Sequence, residues 1–220
     1  MREAGAMTLY ELKPRFQAWL RPLVQDLAER GATANQVTLV AAAGSLAVGA
    51  LAAIGALVAE TSALFLLFPL WLFARMALNA IDGMLAREHG QKSALGAYLN
   101  ELGDIVSDVA LILPLAALPD FNLAQVGPFA LLAVIVEAAG LIGPLAGASR
   151  RYDGPFGKSD RALVVGAIAL WAGVGLGFGA AGPWLWLLLS LLSVLTIVNR
   201  VRRGVAEAQA HAQSQAQTAE

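Results

Sequence analysis

Cysteine is absent from the 220 residues, which excludes a disulfide framework and any thiolate metal site. Charge is scarce as well. Asp, Glu, Lys and Arg make up 14% of the chain against 58% hydrophobic residues, where an average soluble domain carries roughly 25% charge. With a mean hydropathy of +0.64, that balance points to lipid rather than water as the main solvent. The two histidines, His89 and His211, have no ligand partner at metal spacing and read as solvated. Residues 1–12 carry acidic side chains and lack an apolar core, so they do not read as a signal peptide. One integral membrane domain fits the length.

What is present is long apolar segments with charge confined between them. Over 8–30 the apolar residues Leu9, Leu12, Phe16, Trp19, Leu20, Leu23 and Leu27 recur at three- and four-residue spacing. Lys13, Arg15, Arg21, Asp26 and Glu29 fill the gaps. This pattern predicts an amphipathic helix lying on a membrane surface, ended by Gly31. Six apolar stretches follow, at 36–58, 63–86, 95–118, 125–148, 162–180 and 183–201, each near the ~20 residues that span a hydrocarbon core. Pro119-Asp120 and Gly182-Pro183 mark tight turns. The chain thus reads as an all-α integral membrane protein in three parts: a juxtamembrane helix over 1–31, six transmembrane helices over 32–203 and a polar tail over 204–220. The Ala/Gln-rich tail is expected as a frayed helix or disordered.

Lys and Arg set the orientation. With six spans, the connections 59–62, 119–124 and 181–182 share one side and contain neither residue. Every Lys and Arg except Arg75 falls on the opposite side, so both termini are expected in the cytoplasm, with the protein in the cell's inner membrane.

The densest polar stretch, 79–108, interrupts this apolar background with Asp82, Arg87, Glu88, Lys92, Glu101, Asp104 and Asp108. Ionisable groups at membrane depth are costly and mark function by default. Asn79, Asp82, Gly83 and Ala86 share one helix face, and Gly96, Asn100 and Asp104 share another. A short connection makes the two helices antiparallel neighbours. Asn79 and Asn100 then lie ~12 Å below the cytoplasmic ends of their helices at ~1.5 Å rise per residue. The four oxygen-bearing side chains of Asn79, Asp82, Asn100 and Asp104 can converge, and such hard ligands suit Mg²⁺, Mn²⁺ or Ca²⁺.

This spacing resembles the signature of the CDP-alcohol phosphatidyltransferases, Asp-x2-Asp-Gly-x2-Ala-Arg-x8-Gly-x3-Asp-x3-Asp. Here it reads Asn79-x2-Asp82-Gly83-x2-Ala86-Arg87-x8-Gly96-x3-Asn100-x3-Asp104. Six of the eight positions match, and each mismatch is Asn for Asp. The entrance to the first span, Ala34-Asn35-Gln36-Val37-Thr38, is similar to the family's Pro-Asn-x2-Thr without the proline. The resemblance implies transfer of a phosphatidyl group from CDP-diacylglycerol or a similar CDP-lipid to an alcohol acceptor, with release of CMP. It implies Asp82, Asp104, Asn79 and Asn100 as metal ligands for one or two Mg²⁺ or Mn²⁺ ions, and Asp104 as general base. It further implies Asp82, Gly83, Ala86, Arg87 and Gly96 beside CDP, a homodimer among membrane lipids, and no nucleic-acid partner. Two Asn for two Asp remove two negative charges, which predicts weaker metal binding. Asp108, one turn deeper on the same stripe, is a candidate to compensate, or else part of a structural ion pair. A family member without catalysis, serving as a lipid- or nucleotide-binding partner, is the alternative. A small cation or proton carrier using Asp82, Asp104, Asp108 and Glu137 is a third reading, disfavoured because these carboxylates cluster near one side.

Other polar residues add expectations. Arg75 and Glu137 sit ~18 and ~20 Å deep by residue count, which predicts that they pair, with Asp108 as a rival partner. Arg151, Lys158 and Arg161 flank a predicted helix start capped by Ser159 or Asp160. They are read either as a grip on the phosphate of a phosphorylated acceptor or as topology determinants. Trp184 and Trp186 read as an interfacial belt.

Overall fold

A computed structural model describes residues 9–218, and no strand occurs among them. The described chain forms seven α-helices. They are α1 (Leu9–Glu29), α2 (Ala34–Val58), α3 (Leu67–Glu88), α4 (Ala94–Ile112), α5 (Leu123–Ile142), α6 (Lys158–Gly173) and α7 (Gly182–Thr218). Short 3-10 turns lead into α3 at Ala63–Leu66 and extend α4 over Leu113–Ala117 and α5 over Gly143–Ala146.

Four segments are long and apolar enough to cross a membrane: Ala34–Val58, Ala63–Glu88, Leu123–Ala146 and Gly179–Gln215. Their exposed faces carry large apolar side chains such as Leu57, Leu70, Leu131 and Leu187, as a lipid-facing surface requires. α4 places Glu101, Asp104 and Asp108 within 19 residues, and α6 is 16 residues long. Two expected boundaries shift. The stretch 162–180 stops being α-helical at Gly173, and Gly175 turns the chain at φ +84°, a conformation that costs glycine nothing. The expected break at Gly204 does not occur: α7 continues to Thr218.

The helices divide between two compact units. One takes the described residues up to Gly44 together with Phe73–Asp104. Its apolar centre brings Leu20 and Val24 of α1 against Ala34 and Val37 of α2 and Ile81, Met84 and Leu85 of α3. The side chain of Arg21 fixes α1 further, donating to both carboxylate oxygens of Glu88 at 3.1 Å. α1 is therefore amphipathic as its spacing predicts, with Trp19 on the exposed side. The α2 N-terminus is closed by Thr33 and Gln36, whose side chains each accept from the other's backbone N–H at 3.2 and 2.9 Å. This Thr-x-x-Gln is a capping box. Gln91 from the α3–α4 connection completes the cap, accepting from Ala34 N at 2.7 Å and donating to the Ala32 carbonyl at 3.2 Å.

The other unit takes Ser45–Leu72 and the chain from Ile105 on. Phe65, Phe68, Leu111, Leu115, Phe129 and Trp186 fill its core. Trp186 is 1% exposed, with ring centroids 5.1 Å from Phe121 and 5.4 Å from Phe129. Trp184 is exposed as a belt residue should be, whereas Trp186 belongs to the core. Two residues apart on a helix, they point to different faces. The Pro119-Asp120 turn forms as expected, with Asp120 accepting from Phe178 N at 2.6 Å, and Asn122 with Gln125 caps α5.

Candidate functional site

The motif residues lie on α3 and α4. Asp82 is buried, and the Thr38 hydroxyl of α2 donates to its Oδ2 at 2.8 Å. Asp104 is buried too, and its Oδ1 accepts from Arg75 Nη2 at 2.8 Å and from the Asn79 amide nitrogen at 3.2 Å. Motif residues thus enter two polar contacts of the unit, Thr38–Asp82 and Arg75–Asp104–Asn79, which involve two residues given no site role from sequence, Thr38 and Arg75. The signal for Thr38 was its place at the entrance of the first span. Asn100 is half-buried, one turn before Asp104 on the same face.

The positions expected beside CDP divide. The exposed Arg87 folds its guanidinium back over Gly83, so that a Cβ there would lie 2.9 Å from Nη1. A cationic donor on a bare backbone suits a phosphate. At Gly96 the open space is taken by chain oxygens, since a Cβ would meet Asn35 Oδ1 at 2.8 Å and Ser93 Oγ at 3.0 Å. Ala86 packs against the apolar cluster formed by α1, α2 and α3.

The expected metal ligands Asn79, Asp82, Asn100 and Asp104 include two carboxylates. Among the described residues no group of three or more His, Cys, Asp or Glu side chains gathers at metal-binding distance. Asp104 Oδ1 is occupied by a guanidinium and an amide N–H.

Arg75 and Glu137, expected to pair, belong to different compact units, and each has a partner in its own. Arg75 holds Asp104. Glu137 accepts from Arg161 Nη2 at 2.8 Å and lies 3.7 Å from Arg200 Nη1. Asp108, weighed as a replacement ligand, accepts from the same Arg161 nitrogen at 2.8 Å. Residue count fixes depth along a helix but not the direction a side chain takes around it.

In the basic loop before α6, read either as a phosphate grip or as a topology determinant, Arg151 and Arg161 have carboxylate partners. Arg161 is 1% exposed and held by Asp108 and Glu137. Arg151 grips Asp153 through Nε at 2.8 Å and Nη2 at 2.7 Å and pairs with Glu207 of α7. Lys158 opens α6, whose N-terminus is capped by Asp160 accepting from Gly157 N at 2.8 Å. Asp153 also accepts from Arg203 Nη1 at 2.8 Å. Burial pushes the Asp153 carboxyl up, but the hydrogen bonds and charges of Arg151 and Arg203 outweigh it and hold the group below its usual value.

No protein-family model matches the chain. Over 202 residues it is 46% identical to "Inner membrane protein YnbA" of Escherichia coli (strain K12), an overlap covering 89% of this chain and 96% of that protein. Sequence kinship to a membrane protein agrees with four helices able to span a bilayer. The chain is an integral membrane protein and belongs to the family of YnbA.

Proposed function

We propose that the protein is a transferase of the CDP-alcohol phosphatidyltransferase type. It takes a CDP-linked lipid such as CDP-diacylglycerol and passes the phosphatidyl group to the hydroxyl of an alcohol. The hydroxyl oxygen forms the new P–O bond, the P–O bond to CMP breaks, and Asp104 is the acceptor for the hydroxyl proton. The observation that carries this reading is that Asp82 and Asp104, at the motif's spacing, are both buried, with Asn79 donating to Asp104. Arg87 beside Gly83 supports a diphosphate site on the same helix. In the proposed topology α4 and α6 join the four long helices to make six spans, both termini lie in the cytoplasm, and the site faces the cytoplasmic side of the inner membrane. The Lys and Arg distribution supports that orientation.

A second reading is a CDP-lipid-binding protein without turnover. The observation favouring it is that Asp104 Oδ1 is already engaged by Arg75 and Asn79. CMP release from CDP-diacylglycerol by the purified chain, over a panel of free and phosphorylated alcohols, separates the two. The transferase should release CMP with at least one acceptor and lose that activity in Asp82→Asn and Asp104→Asn. Release with no acceptor, or Asp104→Asn indistinguishable from wild type, rejects the transferase in favour of the binding protein.

A further inference from the structure

Asp104 Oδ1 accepts two hydrogen bonds from α3, from Arg75 Nη2 at 2.8 Å and from the Asn79 amide at 3.2 Å. With an aspartate at 79, as in the resembled pattern, two carboxylates would face each other at that separation. Like charges so close do not both ionise without a cation between them. The amide removes the conflict, because its NH₂ donates where a second carboxylate would repel. Arg75 balances the charge that remains, since a guanidinium is cationic at every working pH and this one is 5% exposed beside an Asp104 that is 8% exposed. Cation and donor together occupy Asp104 Oδ1, which leaves that oxygen no free lone pair for a metal ion. The other end of the site follows the same economy of charge. Asp82 and Asp104 are the only carboxylates among the eight motif positions. The Arg87 guanidinium over Gly83 offers the diphosphate a cationic partner of its own.

We infer that this site holds no resident divalent ion and binds the CDP group without one: Arg75 neutralises Asp104, the Asn79 amide takes the place of a further carboxylate, and Arg87 is the cationic partner of the diphosphate. The inference rests on the proposed CDP-lipid reading and departs from the metal dependence that the resemblance implies. It also accounts for the two motif departures together: an Asn at 79 is needed once Arg75 is the cation, and a neutral residue at 100 follows when no second ion has to be neutralised.

The full-length chain in lipid nanodiscs tests it, with CDP affinity measured by calorimetry in EDTA and in Mn²⁺, and Mn²⁺ occupancy by electron paramagnetic resonance. CDP should bind equally in both buffers, and the wild-type chain should show no bound Mn²⁺ and no shift of melting temperature with the metal. The double variant N79D/N100D, which restores four carboxylates, should bind Mn²⁺ and melt higher in its presence. Loss of CDP binding in EDTA, or bound Mn²⁺ on the wild-type chain, overturns the inference and leaves the transferase reading standing. CDP binding in neither buffer withdraws that reading and the inference with it. If the double variant does not fold, the wild-type measurements decide alone.

Discussion

Arg161 is the residue on which one buried cluster turns. Its Nη2 bridges Asp108 and Glu137 at 2.8 Å each, with Arg161 1% exposed and the carboxylates 8% and 7% exposed. Removing one member of a buried ion cluster costs far more than the cluster contributes, because the survivors keep their desolvation penalty. Arg161→Met should therefore destabilise the protein by ~3–5 kcal/mol, read as a lowered melting temperature in detergent. The double variant R161M/D108N, which removes one charge of each sign and leaves Glu137 to Arg200, should recover most of that loss. An R161M protein melting with wild type would show that Arg161 is not structural. Each of these residues was legible in the sequence as an anomaly, an ionisable group in an apolar run, but its partner was not. Arg161 was read as a loop-side phosphate donor because it sits three residues into α6. The structure buries it against Asp108 and Glu137, while Ser159 and Asp160 of the same turn stay exposed.

At the scale of elements, apolar length made most helices legible, and the polar end of α7 shows where that signal stops. Residues 204–218 have no apolar stripe and would not be helical by themselves. They continue a helix already nucleated in the membrane, and they have tertiary partners. Glu207 accepts from the Ser149 backbone at 3.1 Å and its hydroxyl at 3.0 Å and pairs with Arg151. His211 Nδ1 lies 3.1 Å from the Gly147 carbonyl oxygen. The loop before α6 is tied to α7 in the same way: Gly154, at φ +116°, lies so near Thr196 that a Cβ would come within 2.8 Å of its Cα. Asp153 joins Arg151 to Arg203, and the two arginines hold its carboxyl below the ordinary range despite burial. A depressed folded value means the contribution is complete above the unfolded carboxylate value of about 3.9. It is lost as pH falls through the folded value. Hydrogen exchange of 149–157 should therefore be protected evenly through neutral and mildly acidic pH and rise only below pH ~4. Asp153→Asn should raise exchange at neutral pH and remove that acid-side change. A rise centred near neutral pH in the wild-type chain would assign the link to another group.

For the whole molecule, the informative quantity is where charge is missing. The connections 59–62, 119–124 and 181–182 contain no Lys or Arg, while the N-terminal helix, the α3–α4 connection, the loop before α6 and the end of α7 hold all of them but Arg75. Positive residues are retained on the cytoplasmic side during insertion, so this asymmetry orients six spans only if α4 and α6 cross as well. Were just the four longest helices to span, the 119–124 turn would lie in the cytoplasm and the basic loop before α6 on the opposite side, against that rule. α4 would then have to run along the surface with Leu95, Leu102 and Val106 exposed. The two topologies differ at two accessible places, the 119–124 turn and the loop before α6. The natural chain has no cysteine, so single cysteines introduced at Glu3, His89, Asn122, Tyr152 and Ser214 report position without background. Six spans with cytoplasmic termini require that Asn122→Cys alone reacts with a membrane-impermeant maleimide in intact cells, and that the other four react only after the membrane is opened. Labelling of position 122 only in opened cells would place α4 on the cytoplasmic surface, and with it would remove the depth at which Asp82 and Asp104 are proposed to meet a lipid diphosphate.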